Sequence, residues 1–521
     1  MRRGRMIAAG AVAAVAAGLL VIPAMGNEAP ESDPTLMTEE TATGAEQPTA
    51  LAAEEPSPAI ATLSWPGAGS AARTADFKLE SGAALGKRVA KLDAALPKQG
   101  VQKILKYANR DLNPGGKCAT DPFDTGGKAK ALPPAKKYCF ESADAKSKEW
   151  IPQAVTGVSD ATKDEKWGTE RPILIGSYDA INPGRKNGCG AKESDQCQEK
   201  GVRITFVDPA TKKYRHALLV WPYVDKSKKI NFDAVHANEK KGQNGIHIGG
   251  MAWYKNYLYV ADTYNGIRVF DMSKIMDLDP DNKPSTKDKV AGGYKTDITA
   301  KGKNKIGRHG KTWYSFGYRY VMPQVATWTF KAKQYNKAKE KDTKDRNGKV
   351  IKKGKKITYC ATSGAPKSSY LSIDRSVSPH VLVMGEYCRP TDKHPSTGRL
   401  TGYAIDSKSG RLVSGGGVTK TPAWGYYLPA EGIQGAAHHD GVYYLNQSNL
   451  HANGKIIRAT FDWKRGLVTS GRPVPTAVGP EDLYVEHGKA TKKSPLLWSV
   501  SEHAPKRVIY AHKIQDILAR P

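Results

Sequence analysis

Five positions in this 521-residue chain carry a polar side chain at the mouth of a strand-like apolar run. Gln153 precedes AVTGVS, His247 precedes IGGMAWY, Gln324 precedes VATWTF, Gln434 precedes GAAHH, and Glu481 precedes DLYVEHG. Amides donate and accept at once, as recognition of sugar hydroxyls or a carboxylate requires. An imidazole can serve as base or ligand. If the five side chains converge, they form a ligand site. If that site is catalytic, His247, Glu481 and Asp482 are its acid and base groups, acting on a lactone, aryl ester or cyclic ester.

Three of the five positions are Gln, and a neutral amide is a poor substitute for a carboxylate on a hard cation. This disfavours calcium-assisted hydrolysis, and the expectation is a site with no metal. Calcium is the one cation with candidate ligands, in Asp262, Glu386, Glu481 and Asp482. The run Asp277, Asp279, Asp281, Asp288 looks like a calcium loop, but Asn282 replaces the usual Gly, Asp288 the closing Glu, and Pro280 and Pro284 intrude. The reading adopted is a surface turn. His438, His439 and His487 fall near strand ends without a nucleophile to pair with. The chain has no GxSxG, HExxH, P-loop or GxGxxG context.

The elements that must position these residues are β. Gly245–Met272 reads as three strands, Met251–Tyr254, Tyr257–Thr263 and Ile267–Met272, with Lys255-Asn256 and Asn265-Gly266 at the joints. Asn-Gly suits a type I′ hairpin turn. One such meander cannot bury its own faces, so copies are expected. They begin at Ile151, Met322, Gly432 and Gly479, with an arguable sixth between Ser369 and Asp406. Recurring antiparallel meanders predict an all-β chain, a β-propeller of five or six blades, or seven if weak strands hide in the insertions. A β-sandwich would not explain the recurring polar mouth residue.

The stretch YVADTYNGIRVFD resembles the repeat of NHL-type and LVIVD-type propellers, and the chain resembles secreted actinobacterial propeller proteins. That resemblance implies fold and location; one fold hosts many functions. Propeller hydrolases and lyases of the lactonase, arylesterase and streptogramin lyase kinds use the central channel.

Ahead of the propeller, Arg2, Arg3 and Arg5 followed by the apolar run Met6–Ile22 imply a Sec-type bacterial export signal over residues 1–26. Residues 27–76 are poor in large apolar side chains and read as a disordered linker. Residues 77–149 read as a small helical segment, with Leu85, Val89, Leu92 and Leu96, then Val101, Ile104 and Leu105, at helical spacing. The propeller spans 150–521. No transmembrane segment is expected after signal removal, and the chain is expected to be a secreted monomer.

An even set of cysteines outside the cytosol favours disulfides. The simplest pairing joins neighbours: Cys118–Cys139, Cys189–Cys197 and Cys360–Cys388. The spacing suits no zinc site.

The net charge is +29, and the first 76 residues hold four Arg and nine acids, so the rest carries the larger excess. Two lysine-rich inserts, at about 294–311 and 331–356, concentrate it. Lys301, Lys303, Lys305, Arg308, Lys352, Lys353, Lys355 and Lys356 are candidate contacts to an anionic cell-wall polymer or glycan, with Trp313, Tyr314 and Tyr318 as stacking platforms. Nucleic acid is disfavoured, since no known binding module is present. The function this supports is a secreted binding propeller, with a channel-mouth hydrolase or lyase as the alternative and a purely structural platform as a third.

Overall fold

The computed structural model describes residues 69–520, apart from 114–117, 119, 124–129, 181–198, 237–244, 333–336, 340–342, 346–347, 353–355, 359–362, 389–395, 421–423 and 450–451, and apart from the side chains of 337–339, 343–344, 352 and 356–358. The export signal, residues 27–68 of the linker, Cys189, Cys197 and Cys360 lie outside the described residues. Residues 69–76, expected as the end of a disordered linker, are instead packed on the ring: Ala72 N donates to the Gly425 carbonyl at 2.7 Å, and Asp76 is buried.

The described residues form an all-β propeller built from four-stranded antiparallel meanders. Five such sheets are present, written here from inner to outer strand. The first runs Trp150–Gly157, Ile173–Asp179, Val202–Asp208, Lys213–Val224. The second runs Ile248–Tyr254, Tyr257–Asp262, Gly266–Asp271, Tyr320–Phe330. The third is Tyr370–Asp374, Val381–Gly385, Arg399–Ala404, Gly425–Tyr427. The fourth is Ile433–His439, Val442–Asn449, Ala452–Asp462, Gly466–Val478. The fifth is Tyr484–Glu486, Leu496–Val500, Val508–Lys513 and, as outer strand, Lys136–Cys139.

This pairing corrects one sequence reading and decides another. The segment at Gln324 is not the start of a blade. It lies in the outer strand of the second blade, where Phe270 pairs with Gln324. The arguable copy at Ser369–Asp406, readable as a blade of its own or as outer strands of the blade at Gln324, is a blade of its own. The reason is the insertion between residues 272 and 320: it separates the second blade's third strand from its fourth, so the fourth looks like a new beginning.

The segment before the first blade is woven into the ring. Its two helices appear at Gly86–Ala95 and Val101–Lys106, with Val89, Leu92, Val101 and Ile104 buried. Lys136–Cys139 then completes the fifth blade, so the chain closes the ring with a strand from its other end. Cys139, in that strand, forms a disulfide with Cys118. Cys388 is also disulfide-bonded. The first lysine-rich insert folds as well: Lys289–Val290, Tyr294–Thr296, Ile306–His309 and Thr312–Ser315 make a small mixed sheet.

The hairpin signal worked differently from the expected type I′ turn. At the first joint Lys255 takes the positive φ, at 50°. At the second, Thr263 to Asn265 form the loop and Gly266, at φ 131°, already pairs with Asp262. The YVAD and IRVFD signature is explained by an ion pair: Arg268 Nε and Nη2 donate to Asp262 Oδ2 at 2.9 and 2.7 Å, both residues fully buried. The third blade repeats the device, with Arg399 Nε donating to Glu386 at 3.0 Å. Asp262 and Glu386, the candidate calcium ligands, are thus each paired with a buried arginine.

Inner strands pack backbone to backbone, which demands glycine. A Cβ on Gly250 would lie 2.5 Å from the backbone of Tyr370 and Leu371 in the next inner strand, far inside contact distance. Gly250→Ala is expected to lower the thermal unfolding midpoint of the purified chain by several degrees or abolish folding. Gly86→Ala, at an exposed helix start with open space, should leave the midpoint within about 2 °C.

Candidate functional site

One end of the inner strands gathers polar groups from all five blades. Gln153 comes from the first inner strand. His247 stands just before the second, Gln434 lies in the fourth, and Glu481 stands just before the fifth. The third blade contributes Lys367 in the position Gln324 was expected to fill. Glu502, after the middle strand of the fifth blade, was not anticipated from sequence; the only signal was its place in the turn SEHAPK.

These residues touch in sequence around the mouth. Gln434 Nε2 donates to Glu481 Oε1 at 3.2 Å. Glu481 and Glu502 share a side-chain hydrogen bond. Gln153 Nε2 donates to Glu502 Oε2 at 2.9 Å. The Tyr178 and His247 rings touch at a tilt of 42°, with centres 4.3 Å apart, and His247 Nδ1 is 3.0 Å from Thr263 Oγ1. Gln153 and Glu481 are buried, while Tyr178, His247, Lys367, Gln434 and Glu502 keep partial exposure. Gln324 is absent from this set: it is fully buried and its amide donates to Thr327 Oγ1.

Two carboxyls in contact cannot both ionise cheaply, so they hold one proton between them. Burial and the neighbouring Glu502 charge push the Glu481 carboxyl well above the usual range. Burial raises Glu502 too, but hydrogen bonds from Glu481 and Gln153 and the positive field of His503 outweigh that and hold it below its ordinary value. These opposite directions are those of a pair in which Glu481 is the more readily protonated partner. Burial holds His247 below its ordinary value despite the pull of Glu502 and Asp262, so its ring is neutral near pH 7.

Asp482, one residue along, is not part of the mouth. It is fully buried, and its Oδ2 accepts backbone N–H groups from Met251 at 2.9 Å and Val155 at 3.3 Å. The amides of Leu371 and Leu483 also face it. Burial nevertheless pushes its carboxyl well above the usual range. A side chain tied to three inner strands in this way acts as a structural clasp.

The histidines expected near the rim lie at the other end of the inner strands. His438 Nδ1 is 3.0 Å from Asp374, His487 Nε2 is 2.8 Å from Asp160, and the rings of His439 and His487 are 5.7 Å apart. In the acidic loop, ligand atoms of Asp279, Asp281 and Asp288 come within 4.8 Å of one another. Asp277 turns away to Arg319, at 2.8 and 2.9 Å. Hard oxygen donors of this kind would suit calcium. Burial pushes Asp279 up to about 6.

The basic insert is partly structural. Lys301 and Lys303 are exposed. The Lys305 ammonium lies 5.2 Å from the Tyr314 ring centre. Arg308 is committed to Asp225 at 2.5 Å. Trp313 is only 1% exposed and stacks on Phe232, so it offers no platform to a sugar. The side chains of Lys352, Lys353, Lys355 and Lys356 lie outside the described residues. Among the described residues, no helix is long and apolar enough to cross a membrane.

No protein-family model matches the chain, and no curated protein matches it. The resemblance to NHL-type and LVIVD-type repeats is thus carried by the segment around residues 257–271 alone. Among solved structures, a chain of the mitotic checkpoint complex aligns over 76% of this chain and 98% of its own, at 9% identity and a TM-score of 0.28. A β-xylosidase aligns over 71% and 93%, at 9% and 0.28. A lectin in complex with α-methyl fucoside aligns over 69% and 90%, at 8% and 0.25. Scores this low carry no functional inference, and the blade assignment stands on the strand pairings.

A raised carboxyl stabilises the fold fully below its unfolded pKa of about 4.3 and loses that contribution as pH rises toward its folded value. Glu481→Gln keeps the donor to Glu502 and the acceptor for Gln434 without the titration. Urea midpoints should therefore show the native chain losing stability relative to Glu481→Gln as pH rises above about 4. Parallel profiles would contradict the shared proton.

Proposed function

We propose that the mouth formed by Gln153, His247, Lys367, Gln434, Glu481 and Glu502 binds a small polyhydroxylated ligand, most simply a saccharide, and that the chain acts outside the cell as a binding protein. The observation that carries this reading is the Glu481–Glu502 carboxyl pair bracketed by the amides of Gln434 and Gln153. It presents donors and acceptors side by side, the pattern a sugar edge needs. The tilted Tyr178–His247 ring pair, partly exposed, supplies an aromatic surface beside it.

The same pair argues against glycoside hydrolysis at these residues. Hydrolysing carboxyls stand about 5–5.5 Å apart when retaining and about 6.5–9.5 Å when inverting, leaving room for sugar or water. Two carboxyls in direct hydrogen bond leave no such room. Asp482, the third candidate for acid–base chemistry, is held by backbone amides.

The wider reading places the protein on an anionic cell-envelope polymer. It is supported by the N-terminal export pattern, the Cys118–Cys139 disulfide and the exposed Lys301 and Lys303. Contacts of that kind are screened over about 8 Å at physiological salt, so envelope binding should fall steeply as salt rises.

The test is titration calorimetry of the mature chain against a panel of neutral and acidic oligosaccharides. At least one should bind, and Glu502→Ala or Gln434→Ala should weaken it about tenfold or more. A panel without binders, or binding indifferent to both substitutions, would remove the proposal.

A further inference from the structure

A second site stands on the first blade. A cavity of about 360 Å³ opens there, lined by Arg110, Lys200, Arg203, Arg215 and Arg319, and by none of the channel-mouth residues. Cavities of about 300–1,000 Å³ are the size that small ligands occupy. Five cations face two carboxylates, Asp144 and Glu149.

The two acids are already used. Asp144 accepts from the Tyr214 hydroxyl at 2.6 Å and Arg203 Nη2 at 2.7 Å, and its Oδ2 lies 3.2 Å from His216 Nε2 and 3.3 Å from Arg110 Nη1. Glu149 takes the Lys200 ammonium at 2.6 Å. Arg319 is held by Asp277 from outside the cavity. His216 cannot add charge: burial and the adjacent Arg203 hold its imidazole down to about 3.

Arg215 is left over. Its Nη1 donates to the Tyr107 carbonyl at 2.9 Å, its guanidinium lies 5.6 Å from the Tyr320 ring centre, and no carboxylate forms an ion pair with it among the described residues. Arg203, itself buried, has an Nε with no hydrogen-bond partner. Burial and the like charge of Arg319 depress Arg215. A partly desolvated guanidinium with spare donors, crowded by other cations, is stabilised by an anion placed against it.

We propose that this cavity is an anion site that takes a phosphate monoester group, gripped by Arg215 with Arg110, Arg203 and Lys200 around it. A doubly charged tetrahedral oxyanion matches both the cationic excess and the several donors that converge. The volume leaves room for a small body attached to the phosphate, such as a sugar. This site is independent of the channel mouth, so either assignment can fail without the other.

The experiment uses the mature chain at low ionic strength, titrated with inorganic phosphate, a hexose phosphate, sulfate and uncharged hexose. Phosphate and the hexose phosphate should bind and raise the unfolding midpoint above that in chloride at equal ionic strength. Uncharged hexose should not compete for the site. Arg215→Gln should weaken phosphate binding at least tenfold. Arg215→Lys, which keeps charge but loses the fork, should weaken it less. Arg465→Gln, an exposed arginine on the fourth blade, should change nothing. If phosphate stabilises the native chain no more than chloride does, the proposal is overturned, whether or not the variants fold. Phosphate binding that is unchanged in folded Arg215→Gln overturns it equally. Sulfate binding as tightly as phosphate would replace the ester assignment with a general oxyanion site.

Discussion

The Asp482 carboxylate sits where the inner strands of separate blades come closest, and the ring depends on it. The first and second blades are joined at their outer strands by parallel backbone pairing of 217–220 with 320–323. Asp482 makes a further tie at the inner strands, since it starts the fifth blade and accepts amide protons from the first and second. A buried acid so placed is costly unless every amide is in position, and for that reason it enforces one relative setting of the blades. The inner-strand glycines serve the same end by letting the backbones approach.

With the ring fixed, its first end becomes a place where residues from five blades meet. The chemistry there follows from crowding. Glu481 and Glu502 are too close to ionise together, so the pair keeps a proton and becomes a donor as well as an acceptor. The glutamines complete that edge without adding charge. Had the mouth held separated carboxylates, calcium or a glycosidic bond could have fitted between them. As built, it suits recognition of a polar ligand.

Some of this was legible in the residues. The alternation and turns around 245–272 specified a meander, and the periodic leucines of 85–105 specified two helices, because both signals are local. Gln153, His247, Gln434 and Glu481 were found because each stands at the mouth of an inner strand, a position that recurs. Gln324 misled for the same reason: its strand also follows a break and begins with a polar residue. Strand rhythm does not say whether a strand is first or fourth in its blade. Asp262 and Glu386 looked like metal ligands because an acid is recognisable in sequence while its arginine partner is not.

The sequence by itself determined the β architecture, the meander repeat and the uneven charge, since these depend on residue order within some ten to twenty positions. Only the tertiary structure decided which polar residues share a mouth, since that requires closing the ring with Lys136–Cys139 from the far end of the chain. The same closure separated Asp482 from Glu481, adjacent in sequence, into a clasp and a member of the mouth. It also turned Glu502, a turn residue with no motif, into half of the carboxyl pair. Contacts among groups hundreds of residues apart leave no local pattern, because their cause is the geometry of the closed ring.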